Sequence, residues 1–82
     1  MGEDSTGPSP HDLDVTVWVG KRGIAPVVDE VAEQLEERGA IKVKFLRAAR
    51  AGTDTASLAA ELADAVDATV VDVRGHTAVL SP

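Results

Sequence analysis

The feature that most limits what this chain can become is a change of period across four residues. Val15-Thr16-Val17-Trp18-Val19 is β-branched or aromatic throughout and alternates at period two, as a strand does. Beyond it, Ile24, Val27, Val28, Val31 and Leu35 recur at steps of three and four, the apolar stripe of an amphipathic helix. Between the two lies Gly20-Lys21-Arg22-Gly23. The glycines permit positive φ and close approach of another backbone. A helix starting just beyond them would aim unpaired N–H groups and the positive end of its dipole at the loop, where Lys21 and Arg22 add two cations. Two readings follow: a loop that grips phosphate, and a plain strand-to-helix connection, since Gly-x-x-Gly is a short pattern. Neither the nucleotide-triphosphate loop nor the dinucleotide fingerprint occurs.

The rest of the chain extends this start into an α/β layer. Residues 1–13, with Gly, Pro and Ser and almost nothing apolar, are expected to be a disordered acidic leader, and 14–82 the folded domain. The first strand covers about Asp14 to Val19, with Val15, Val17 and Val19 toward the core and Thr16 and Trp18 opposite. The first helix runs from about Ala25 to Arg38, with Pro26 in its first turn and Gly39 beyond its end. Ile41 to Leu46 is a second strand, with Ile41, Val43 and Phe45 inward and Lys42 and Lys44 projecting from the other face. A second helix opens with Thr53 or Thr55 as N-cap and carries Ala59, Leu62, Ala63 and Val66 toward the core. Thr69 to Val73 and Thr77 to Leu80 are strands joined through Arg74-Gly75-His76, a length that suits a tight hairpin. The order β-α-β-α-β-β predicts parallel pairing across the helices and an antiparallel final hairpin, hence a two-layer fold with a mixed four-stranded sheet.

Composition narrows function mainly by exclusion. Eighty-two residues make one small domain with no room for a deep substrate cavity, so no small-molecule substrate is expected. With no cysteine there are no disulfides or thiolate metal sites, and His11 in the leader has no partner residues for a metal. No run approaches the ~20 apolar residues of a membrane span, and the N-terminus lacks signal-peptide features, so a soluble cytoplasmic protein is expected. Catalysis has no support either. Ser57 and Ser81 have no neighbouring base, the helix acids are regularly spaced, and neither His sits in a triad-like context.

The formal charge of −6 argues against a nucleic-acid partner until its distribution is considered. Residues 1–14 hold Glu3, Asp4, Asp12 and Asp14 with no Lys or Arg, leaving ten acids against eight cations in the rest. Most of those acids fall in Asp29 to Glu37 and Asp54 to Asp67, whereas Lys21, Arg22, Lys42, Lys44, Arg47, Arg50 and Arg74 lie outside both segments. Charge is sorted by element, so a basic surface can exist on an acidic protein. The acidic balance, with one Phe, one Trp and no Tyr, also hints at adaptation to a salty cytoplasm.

Three dispersed blocks carry a family resemblance: Val17-Trp18-Val19-Gly20-Lys21-Arg22-Gly23-Ile24, Ile41-Lys42-Val43-Lys44 and Val73-Arg74-Gly75-His76-Thr77-Ala78-Val79-Leu80. In kind, order and spacing, from about Val15 to Pro82, the chain resembles the CRM domain, the chloroplast RNA splicing and ribosome maturation module, in its free-standing prokaryotic YhbY-like form. The resemblance implies a fold like the C-terminal domain of translation initiation factor three. It also implies RNA binding without catalysis or cofactor, with the Gly-x-x-Gly loop as the contact. A lone domain of this size is similar to the members that act in large ribosomal subunit assembly, which makes ribosomal RNA or a pre-ribosomal particle the expected partner of a monomeric protein.

Two departures stand out. The basic helix that usually precedes the first strand is replaced by the acidic leader, and a hairpin position often held by Lys or Arg is His76, whose ring can stack or hydrogen-bond. The candidate RNA-binding residues are Gly20, Lys21, Arg22, Gly23, Trp18, Lys42, Lys44, Arg47, Arg74 and His76. Each has a bland alternative: an exposed turn for Lys21 and Arg22, an ordinary solvated face for Lys42 and Lys44, packing under a helix for Trp18. A protein-interaction module using the sheet face around Trp18 is the rival reading of the whole.

Overall fold

The computed structural model describes residues 13–82. The leader expected over 1–13, with His11, lies outside them apart from Leu13. The described chain runs β1 (Val15–Val19), a 3-10 turn (Ala25–Val27), α1 (Val28–Arg38), β2 (Ile41–Phe45), α2 (Thr55–Ala65), β3 (Thr69–Arg74) and β4 (Thr77–Ser81). The four strands form one mixed sheet in the order β1-β2-β4-β3, with β1 parallel to β2 and the other two pairings antiparallel. The β-α-β-α-β-β order and the two-layer α/β class are as the sequence predicts. One pairing differs: β2 and β3, though joined through α2, are not neighbours, because β4 lies between them.

Burial explains that placement. Ala78, Val79 and Leu80 of β4 are all at most 3% exposed, so this strand is covered on both faces and suits the middle of the sheet. In β3, Val71 and Val73 are 48% and 38% exposed, which suits an edge. The core lies on one side of the sheet. Val17, Val19, Ile41, Val43, Phe45, Ala78 and Leu80 meet Val31 and Leu35 of α1 and Leu58, Ala59, Leu62 and Ala63 of α2 in a single cluster, so both helices pack on the same face.

Both edge strands carry a register shift, one between Val15 and Val17 and the other between Val70 and Asp72. Such bulges twist an exposed edge away from pairing with another chain. The first one overturns the simple alternation expected for β1. Val15 is paired with Lys42 and stands outside the core cluster, while Thr16 turns toward α1. There its hydroxyl donates to Gln34 Oε1 at 2.6 Å, and Gln34 Nε2 donates to Glu30 Oε2 at 3.1 Å. The extra residue in the bulge consumes one step of the period, so only Val17, Trp18 and Val19 keep the expected faces.

Two helix starts also differ from expectation. The first helix begins with a 3-10 turn containing Pro26, and regular α-helix starts only at Val28. The cap of α2 is Asp54, between the two threonines expected for that role; its Oδ1 accepts from the Ser57 backbone N–H at 2.7 Å. An ionised carboxylate is a stronger acceptor than a hydroxyl for an orphan helix N–H. That bond, reinforced by the Ser57 hydroxyl, holds the Asp54 carboxyl below its ordinary pKa.

Candidate nucleic-acid interface

β1 and β2 run in the same direction and finish at the same end of the sheet, where the β3–β4 hairpin also turns. Two backbone hydrogen bonds tie these segments together: Leu46 N–H donates to Val19 O at 2.8 Å, and Phe45 N–H donates to His76 O at 2.8 Å. Three loops drawn from distant parts of the chain are thereby held side by side. They carry Lys21 and Arg22, then Arg47 and Arg50, then Arg74 and His76, which gathers five of the eight Lys and Arg residues at one end.

The Gly20–Gly23 loop is a closed turn, since Gly23 N–H donates to Gly20 O at 2.9 Å. This leaves the Lys21 and Arg22 side chains exposed at its tip. The two glycines are not equivalent. Gly23 has φ +78°, a conformation costly to any residue with a Cβ, whereas Gly20 has no positive φ and a Cβ there would meet nothing within 4 Å. The fold therefore requires glycine at 23 and does not require it at 20.

The helix dipole adds less at this loop than the sequence suggests. Because the 3-10 turn intervenes, Val27 N–H donates to Ile24 O and Val28 N–H to Ala25 O, while Pro26 has no N–H to offer. Asp29 and Glu30 occupy the first turn of α1, and Asp54 caps α2. Asp54 thus answers the start of α2 with a hydrogen bond, while Asp29 and Glu30 place negative charge in the first turn of α1 without capping it, so attraction for an outside anion falls mainly to the cationic side chains of the loops.

Strand register places the remaining candidates. Trp18 pairs with Lys44, Lys44 with Thr77 and Thr77 with Arg74, on the face away from the helices and just below the loop end. Trp18 is 54% exposed, which discards packing beneath a helix. Lys42 is set apart from Lys44: it is half-buried and aligned with Val15, Val79 and Asp72. Arg47 is exposed, while Arg50 is half-buried with Nε donating to Phe45 O at 3.0 Å, which fastens the end of β2. Thr77 is a member of the exposed row that sequence reasoning missed, because its place there depends on pairing between residues 33 positions apart. Among the described residues there is no group of three or more His, Asp or Glu that could hold a metal ion, and no helix is long and apolar enough to cross a membrane.

Fold and site define a small α/β domain with most of its acids on the helices and, Arg38 of α1 apart, its cations at one end and one face of the sheet. Residues 9–80 match the family profile described as the CRS1/YhbY (CRM) domain, and the chain belongs to that family. It is 50% identical over 70 residues to a Methanocaldococcus jannaschii protein named as a probable RNA-binding protein, a match covering 85% of this chain and 52% of the relative. The chain thus spans about half the length of the curated relative it matches. Its backbone is similar to the solution structure of the Staphylococcus aureus protein SAV1595, described as a candidate RNA-binding protein, with TM-score 0.66 and 26% identity over 87% of this chain and 73% of the other.

Proposed function

We propose that this domain binds RNA without acting on it chemically, with the Gly20–Gly23 loop as its principal phosphate contact. The observation that carries the reading is the meeting of three cation-bearing loops at one end of the sheet, on a chain whose overall charge is −6. The net negative charge taken as a whole would repel such a chain from RNA, so binding depends on a local concentration of Lys and Arg. The names of the M. jannaschii and S. aureus proteins support the same reading. Within it, the partner we favour is ribosomal RNA in an assembling large subunit, bound in the cytoplasm by a monomer. Bulges on both sheet edges support the monomer.

Crosslinking in cells followed by sequencing of the attached RNA tests this directly. Enrichment of large-subunit ribosomal RNA is the expected result, and crosslinks spread in proportion to transcript abundance would overturn the ribosomal assignment. The exposed Trp18 also suits an apolar protein contact, which a salt titration separates from RNA binding. Phosphate contacts weaken as ionic strength rises, whereas an apolar contact does not.

A further inference from the structure

With the strands in register, two rows of side chains cross the face away from the helices, at right angles to the strands. The row nearer the loop end is Trp18, Lys44, Thr77 and Arg74, and the farther row is Val15, Lys42, Val79 and Asp72. Their chemistry differs. In the near row Trp18, Lys44 and Arg74 are exposed and there is no acid. In the far row Lys42 is half-buried, Val79 is only 3% exposed and Asp72 adds a negative charge. Three strand spacings of ~4.8 Å give the near row a span of about 14 Å, enough for a few nucleotides. One end of it, Trp18, stands two residues from Gly20, beside Lys21 and Arg22.

We propose that the near row is a track for an unpaired RNA strand, with one base stacked on Trp18 and the phosphates beside it met by Lys44 and Arg74, and that the far row takes no part. This rests on the RNA-binding reading and adds to it the class of RNA. A base can lie on an exposed indole only if its face is free of neighbours, and a duplex hides those faces in its stack. Charge complementarity supports the same occupant: the near row and the loop rim carry cations and no acid, whereas on the far row the charge of Asp72 offsets that of Lys42. Thr77 keeps the track in shape, its hydroxyl donating to Arg74 O at 2.9 Å across the base of the hairpin.

Trp18 is the chain's single tryptophan and there is no tyrosine, so intrinsic fluorescence reports on this one position. The experiment titrates the full chain with an unpaired polypyrimidine RNA and with an RNA duplex of equal length, across a salt series. The single strand should quench Trp18 and the duplex should not. Trp18→Ala should weaken single-strand binding about tenfold or more, and Trp18→Phe should retain most of it. Lys44→Ala should lower the slope of log affinity against log salt by about 0.7, while Lys42→Ala leaves it unchanged. Tight binding of the single strand with no change in Trp18 fluorescence, equal quenching by duplex, or equal slope losses for Lys42→Ala and Lys44→Ala would each overturn the track and leave RNA binding standing. Failure of both RNAs to bind would instead remove the RNA-binding reading.

Discussion

The two faces of the sheet are built from alternate residues of the same strands, and they do opposite things. Val17, Val19, Val43 and Phe45 are at most 2% exposed beneath the helices, whereas Trp18 and Lys44, interleaved with them, stand in solvent. The first face is where most of the stability comes from; the second buries Val79 but, toward the loop end, holds side chains that contribute little to folding. A chain of this size buries too little to spend apolar area freely. Folding therefore does not account for an exposed tryptophan beside a lysine, whereas the proposed RNA contact does. The acids follow the same division, since Asp29, Glu30, Glu33, Glu36 and Glu37 lie on α1 and keep the helix layer soluble while the loop end stays cationic.

This division can be broken from either side. The largest effect is expected for Phe45→Ala, which removes a fully buried ring and should cost about 3–5 kcal/mol in denaturant unfolding. A loss under 1 kcal/mol would show that the helix face is not the source of stability. Next comes Gly23→Val, whose Cβ meets nothing within 4 Å but whose backbone must hold φ near +78°, which should cost about 1–2 kcal/mol. Gly20→Ala is the control, expected to leave unfolding unchanged and to weaken RNA binding only if a phosphate approaches that backbone closely. Equal destabilisation by the two would contradict the distinction drawn between the glycines. A smaller effect is expected for Asp54→Ala, read as a lower melting temperature near neutral pH. Because the folded state lowers the Asp54 pKa, its contribution is present above the ordinary carboxylate range and fades as pH falls through the folded value. The melting temperatures of wild type and variant should therefore converge in acid, and a gap that persists there would contradict this role.

Much of this arrangement is legible in the sequence because it is local. Periods of two and three to four set β1, β2 and α2 to within a residue or two and α1 to within three, and Arg74-Gly75-His76 announces its hairpin. What the sequence hides depends on pairing between distant segments. The bulge at Val15–Val17 shifts Thr16 onto the helix side, and no local pattern announces an extra residue in an edge strand. The separation of Lys42 from Lys44 has the same origin: both point away from the helices, but only register shows which one lies beside Trp18 and which beside Val79. The 3-10 turn was hidden for another reason, since a proline in the first turn is compatible with either helix type.

The central claim is that Lys21 and Arg22 grip phosphate and do nothing for the fold. Both are exposed at the tip of a closed turn, so replacing both with alanine should change unfolding by no more than about 0.5 kcal/mol apiece. The direct measurement is binding of ribosomal RNA fragments across a salt series, for wild type and this double variant, with circular dichroism confirming the fold. If each side chain neutralises one phosphate of a single strand, the slope of log affinity against log salt should fall by about 1.4, at ~0.7 per contact. Binding should weaken without vanishing, because Lys44, Arg47 and Arg74 remain. A folded double variant with unchanged affinity and unchanged salt slope would contradict the claim and take the loop out of the mechanism.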